Sequence, residues 1–177
     1  MGQIAGQLAR LAGARPIAVT STPEKLLHCL AMGYADGLAW RDEPDLATAV
    51  RRLCPSGVDV FLDNTAGPIH DAVLENLAIS ARIVINGTAA LAATFGEPDI
   101  GPRFLRHILV ARARLEGFLV LDHGVCWSMA WDRLGRLLKQ GVLRTRYDIV
   151  DGFERLPEAL IGLLRGESVG KRLVRVG

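Results

Sequence analysis

The feature that most constrains this chain is a repeated switch of hydrophobic period. Short apolar runs alternate with stretches of helical spacing, and turn residues separate them. Residues 16–20, 37–40, 58–62, 81–86 and 115–121 read as strands. Between them, residues 2–11, 23–33, 45–53, 69–77 and 104–110 read as helices. Two more helices, 127–140 and 157–164, and two more strands, 144–150 and 172–176, complete the pass. Alternation of this kind builds a parallel sheet with helices on both faces and right-handed crossovers. The segment from about Leu143 onward follows a full set of such units and belongs to another structural layer. Residues 91–102 form a loop rich in glycine and proline, long enough to suggest a function.

Composition narrows the class. At 177 residues, half of them hydrophobic, the chain is long enough for one domain with a real core. A net charge of +2, with arginines scattered, does not argue for nucleic acid. Cys29, Cys54 and Cys126 are odd in number and widely spaced, which fits buried thiols in a reducing cytosol better than a disulfide frame. There is no CxxC pair, and His28, His70, His107 and His123 do not cluster, so no metal site is expected. The apolar runs are far too short for a membrane span, and the N-terminus does not read as a secretion signal.

One stretch organises the rest. Gly57 to Gly67 reads as an apolar strand, covered on both faces, that stops on Asp63-Asn64 and a glycine. Open α/β sheets bind ligands at the carboxyl ends of their strands. The stretch therefore sets backbone amides and an amide side chain where a ligand would sit. The alternative is that Asp-Asn only shapes the turn.

A second strand end carries a further signal. Thr20, Ser21 and Thr22 stand at the tip of the first strand, with Pro23 and Glu24 opening a helix and Lys25 one turn on. An NAD site places an acid at this tip for the ribose 2′-hydroxyl, whereas a 2′-phosphate calls for hydroxyls and cations. No carboxylate is present at the tip. Ser21 as a plain N-cap and Lys25 as a solvated side chain is the alternative.

The chain resembles the zinc-free medium-chain dehydrogenase/reductase family, and within it the leukotriene B4 12-hydroxydehydrogenase and prostaglandin reductase group. The resemblance is carried, in family order, by Gly2 to Gly13, Ser21 to Lys25, Asp59 to Gly67, Arg114 to Val120, Tyr147 to Phe153 and Gly166 to Val176. It implies a Rossmann-like doubly wound parallel sheet lacking its first strand, with a C-terminal piece of the catalytic domain. Family members begin with a substrate domain, then a strand and a glycine-rich turn of the type AAxGAVG. Met1-Gly2 matches the end of that turn, so the chain is expected to be truncated at its N-terminus. Residues 1–142 then form an incomplete dinucleotide-binding domain, and residues 143–177 belong to the substrate domain.

The resemblance also implies the cofactor, NADP, and a set of residues for it. Gly2 faces the pyrophosphate. Ser21 and Lys25 meet the 2′-phosphate, and Trp40 lies where members have a tyrosine near the adenosine. Asn64 sits beside the nicotinamide ribose, with Asn86, Gly87 and Thr88 at the next strand end. Phe118, Leu119 and Val120 match a segment near the nicotinamide and near the family's dimer edge, which implies a homodimer. Ser168 replaces an asparagine that touches the cofactor. For all the strand-end residues, plain packing remains the alternative.

The implied activity is an NADPH-dependent reduction of the carbon–carbon double bond of α,β-unsaturated ketones or aldehydes, or of a quinone. Hydride transfer of this type needs geometry more than a strong acid or base. Some members supply a tyrosine where this chain has Val110; Tyr34 and Tyr147 do not fall on that motif. No catalytic residue is assigned, although His70 and His107 are conceivable proton donors. A non-catalytic dinucleotide-binding fragment is the competing reading. A methyltransferase on a similar sheet is disfavoured by the missing acid at the strand tip.

Overall fold

The computed structural model of the chain describes residues 1–94 and 96–177. In order, the elements are α1 (Gly2–Leu11), β1 (Ile17–Thr20), α2 (Pro23–Ala31), β2 (Asp36–Ala39), α3 (Leu46–Leu53), β3 (Val58–Asp63) and α4 (Gly67–Leu74). They continue as β4 (Leu77–Ile85), α5 (Leu105–Ala111), β5 (Arg114–Gly117), α6 (Trp127–Lys139), β6 (Tyr147–Asp151), α7 (Leu156–Leu164) and β7 (Lys171–Arg175). Every strand ladder is parallel, as the alternation requires. The strands group as β1-β2, β3-β4-β5 and β6-β7.

The chain forms two compact units. Residues 1–42 and 128–177 make the first, and residues 43–127 the second.

In the first unit, α1 is fastened by two glutamines that periodicity does not single out. Gln7 is buried; its amide donates to the Arg144 carbonyl at 2.8 Å and accepts from the Arg144 N–H at 2.9 Å. Gln3 treats Arg146 in the same way, at 3.3 and 3.0 Å. The match is one of spacing. Four helical residues rise about 6 Å, close to the roughly 6.6 Å that two residues span in extended chain. The two side chains thus act as a ladder partner for the backbone ahead of β6, where the Arg146 carbonyl also accepts from the Lys171 N–H at 2.9 Å. Tyr34 lies on the same helix: its hydroxyl donates to the Gly2 carbonyl at 2.7 Å. A Cβ at Gly6 would fall 2.0 Å from the tyrosine ring, so only glycine admits this packing.

In the second unit, the core is Leu74, Ala81, Ile83 and Phe104, with Phe61, Leu77, Ile85 and Ala113 packed around it. Three expectations need correction here. The helix read over residues 69–77 stops at Leu74, and Leu77 opens β4. Buried Asn76 ends it: its side chain donates to the Ala72 and Ala47 carbonyls at 2.8 and 3.0 Å. An apolar residue in helical register can equally begin a strand, and Leu77 does so. The strand read over 115–121 ends at Gly117, because its partner β4 ends at Ile85. The Phe118 N–H makes the last bond, to the Ile85 carbonyl at 2.8 Å, and a 3-10 turn follows at Val120–Cys126. Finally, β3 is not covered on both faces, since Val60 is 68% and Leu62 43% exposed. Among the described residues, β3 is an edge strand of its sheet, with β4 as its neighbour. The loop expected over 91–102 includes Phe95, which lies outside the described residues; Ala89–Thr94 form a 3-10 turn.

Gly57 joins α3 to β3 at φ +87, and a Cβ there would lie 2.6 Å from the Ala78 backbone nitrogen. Both the left-handed conformation and the backbone contact exclude a side chain. Gly57→Ala is expected to lose more than about 1 kcal/mol in urea unfolding. A change within error would show that the Gly57 turn relaxes freely.

Candidate functional site

The residues singled out from the sequence fall into two groups, one in each unit, and each is built differently.

In the first unit, Lys25 is the hub. The N-cap of α2 is Thr22, whose hydroxyl accepts from the Lys25 N–H at 3.4 Å, with Pro23 at the first turn. This start places Lys25 one turn above Ser21, and its ammonium donates to the Ser21 hydroxyl at 3.1 Å. It also donates to the carbonyl of Gly166, in the turn after α7. Arg41, just past β2, brings a second cation. A Cβ on Gly166 would lie 3.8 Å from the Lys25 ammonium, 3.9 Å from the Arg41 guanidinium and 3.9 Å from the Ser21 hydroxyl. Burial lowers the Lys25 pKa, and the Arg41 charge lowers it further, against Glu24, which raises it. Two cations drawn together without a carboxylate between them leave a pocket short of negative charge.

Of the three hydroxyls expected at this tip, only Ser21 joins the pocket. Thr20 donates to the Thr22 and Leu38 carbonyls at 3.1 and 3.3 Å, and Thr22 is spent as the N-cap. Arg41 was missed by sequence reading. The signal was a cation two residues beyond the β2 tip, beside Trp40, whose ring centroid lies 5.4 Å from the guanidinium. Ser168 sits two residues after Gly166 and is half-buried. Gly2 opens α1, its carbonyl taken by Tyr34.

In the second unit, the tips of β3 and β4 are stitched together. The Asn86 N–H donates to the Asp63 carbonyl at 2.8 Å, and the Asn86 amide donates to the Asn64 side-chain oxygen at 3.3 Å. A Cβ on Gly87 would come within 2.8 Å of that Asn64 oxygen, so the close approach requires glycine. Thr88 turns into an open cleft of about 710 Å³, also lined by Asp63, Gly67, His70, Asp71 and Arg103. Phe118 stacks on His123 with centroids 4.6 Å apart, while Leu119 and Val120 are exposed beyond the end of β5.

Asp63, expected only as a turn former, is fully buried. One of its oxygens accepts from the Thr65 and Ala66 amides, each at 2.9 Å, and the other meets His70 Nδ1 at 2.7 Å. Burial pushes the carboxyl up, but the bonds from His70, Ala66 and Thr65 together outweigh it and hold its pKa below the usual value. The Asp63 bond raises the His70 pKa against burial, helped by the charges of Asp63, Asp71 and Asp99. The sequence signal for this pair was an acid at a strand end and a histidine on the first turns of the next helix.

Comparison with known proteins gives the family and the fold. A profile of the family described as zinc-binding dehydrogenase matches residues 1–139. An NADPH-dependent curcumin reductase of Escherichia coli is 32% identical, over 99% of this chain and 52% of that protein. A 2-alkenal reductase (NADP(+)-dependent) of Nicotiana tabacum is 30% identical, over 99% of this chain and 51% of that protein. The crystal structure of CurA with NADPH from Vibrio vulnificus superposes with a TM-score of 0.90 at 28% identity, covering 99% of this chain and 53% of that one. The chain thus spans about half the length of the curated relatives it matches. Its fold is the Rossmann-like half of such enzymes. Among the described residues, no group of three or more His, Cys, Asp or Glu is placed to hold a metal ion.

Proposed function

The chain belongs to the zinc-binding dehydrogenase family, and we propose that it is the NADPH-holding part of a reductase of carbon–carbon double bonds in α,β-unsaturated ketones or aldehydes. The observation that carries the coenzyme choice is the pocket of Ser21, Lys25 and Arg41 around Gly166, with no acid at the β1 tip. A phosphate monoester dianion fits that donor set, and an uncharged ribose hydroxyl does not use it. The names of the relatives, which include curcumin and alkenal reductases, support the reaction class.

In this reading Ser21, Lys25 and Arg41 hold the 2′-phosphate. Trp40 lies against the adenosine. Gly2 starts the helix that favours the pyrophosphate. Asn64 and Asn86 hydrogen-bond the nicotinamide ribose and amide edge, and Gly87 and Thr88 line the ring. Phe118, Leu119 and Val120 close its outer side, and Ser168 adds a hydroxyl toward the cofactor. When bound, NADPH supplies the hydride. The chain's own residues orient it and discriminate its phosphate.

From the same resemblance we assign residues 143–177 to the substrate domain, although they share a compact unit with residues 1–42. A homodimer through the exposed Phe118–Val120 segment, with the other copy covering its apolar side chains, follows from the same resemblance. No helix among the described residues is long and apolar enough to cross a membrane. With an odd number of cysteines, the cytosol is the compartment we propose.

A fluorescence titration with NADPH, followed by an absorbance assay of its oxidation with an enone or a quinone, tests the reading. Saturable binding with oxidation supports the reductase. Because the chain spans only half of its relatives, binding without oxidation supports a dinucleotide-holding module. Absence of binding removes both.

A further inference from the structure

The Asp63–His70 pair and its cleft have no part in holding the phosphate pocket described above. With Nδ1 held at 2.7 Å by a fully buried carboxylate, His70 lines the cleft and keeps 19% of its side chain exposed. We propose that this cleft takes a small neutral carbonyl compound, with His70 Nε2–H donating to the carbonyl oxygen and Asp63 acting as the positioning residue.

Charge decides the ligand class. Asp63 and a protonated His70 cancel. Of the other charged residues lining the cleft, Asp71 and Asp99 oppose the single cation of Arg103. A carboxylate or phosphate would meet a surplus of negative charge there. A neutral oxygen needs one donor, and the His70 ring offers one. Ile85, Leu91 and Ile100 give the carbon skeleton an apolar wall. The choice of an α,β-unsaturated ketone within this class rests on the reductase reading above.

The arrangement carries a pH signature. While neutral, a ring that donates Nδ1–H to Asp63 presents a bare lone pair at Nε2, which repels a carbonyl oxygen. Only the imidazolium donates from both nitrogens. The Asp63 bond, with the charges of Asp63, Asp71 and Asp99, keeps that form to higher pH against burial. Arg103 is the one arginine or lysine among the residues lining the cleft.

The test is NMR of the histidine rings in the ¹⁵N-labelled chain, with 2-cyclohexen-1-one as the probe. Below the His70 pKa, saturable shifts of the His70 ring are expected. One pH unit above it, affinity should fall about tenfold, following the imidazolium fraction. His70→Asn keeps a donor for Asp63 but leaves nothing at the Nε2 position. It should abolish the saturable shifts, read on the Thr88 and Gly101 amides, while NADPH binding persists. Equal affinity at both pH values, or no saturable shift in the unsubstituted chain at low pH, overturns the proposal. Probe binding without NADPH binding removes the coenzyme reading alone. NADPH binding without probe binding removes this proposal alone.

Discussion

Asp63→Ala is expected to destabilise the chain by about 3–5 kcal/mol, the range seen when one partner of a buried charge pair is removed. The substitution leaves the Thr65 and Ala66 amides and His70 Nδ1 without the fully buried carboxylate that they share. Native stabilities run to about 5–15 kcal/mol, so such a loss is a large part of the whole. Asp63→Asn keeps the volume and an oxygen for the two amides, and is expected to lose less. Urea unfolding of the three proteins checks this order; equal stability of all three would show that the pair is solvated.

The same pair predicts how stability depends on pH. The folded Asp63 pKa is depressed, so its contribution is present above the unfolded value of about 3.9 and is lost as pH falls through the folded pKa. The folded His70 pKa is raised, so its contribution is full below about 6.5 and is lost as pH rises through the folded pKa. Their joint contribution is therefore greatest between about pH 4 and 6.5. His70→Asn should flatten the alkaline side of that profile and leave the acid side steep.

Lys25→Met is expected to weaken NADPH binding about 10- to 100-fold while changing NADH by only a few-fold. A hydrogen bond to a charged group is worth about 1.5–3 kcal/mol, and each 1.4 kcal/mol is a factor of ten. The methionine keeps the length of the side chain, so the packing of α2 is retained while the bonds to Ser21 and Gly166 go. Arg41→Ala should act in the same direction. Because the two cations repel each other in the absence of an anion, the double variant should lose less than the sum of the single losses from the ligand-free protein. The NADPH preference should also shrink as ionic strength rises. Equal weakening of NADPH and NADH in Lys25→Met would remove the phosphate assignment. Dissociation constants from coenzyme fluorescence, with thermal unfolding as the control for folding, measure all of these.

How much of this was legible before any coordinates depends on the range of the interaction. The alternation of periods two and 3.6 is local, and it placed every helix and strand. The Thr22-Pro23 start of α2 was equally plain, since a cap bonds only three residues ahead. It put Ser21 and Lys25 on one turn from the chain order alone. Boundaries that depend on a neighbour were not legible. β5 ends where β4 ends, and α4 ends where the Asn76 side chain reaches the Ala47 carbonyl on α3.

The sequence alone determined the class of the fold, its parallel ladders and the absence of an acid at the first strand tip, because each is written in consecutive residues. Only the tertiary structure decided that Arg41 and the Gly166 carbonyl share a pocket with Lys25, residues 41 and 166 being far apart along the chain. It alone decided that Gln3 and Gln7 stand in for a strand, and that the Asp63 carboxylate is buried beside His70. The physical reason is the same in each case. Whether a polar group meets water, a backbone or a second charge is fixed by which distant segments fold over it, and no local period records that.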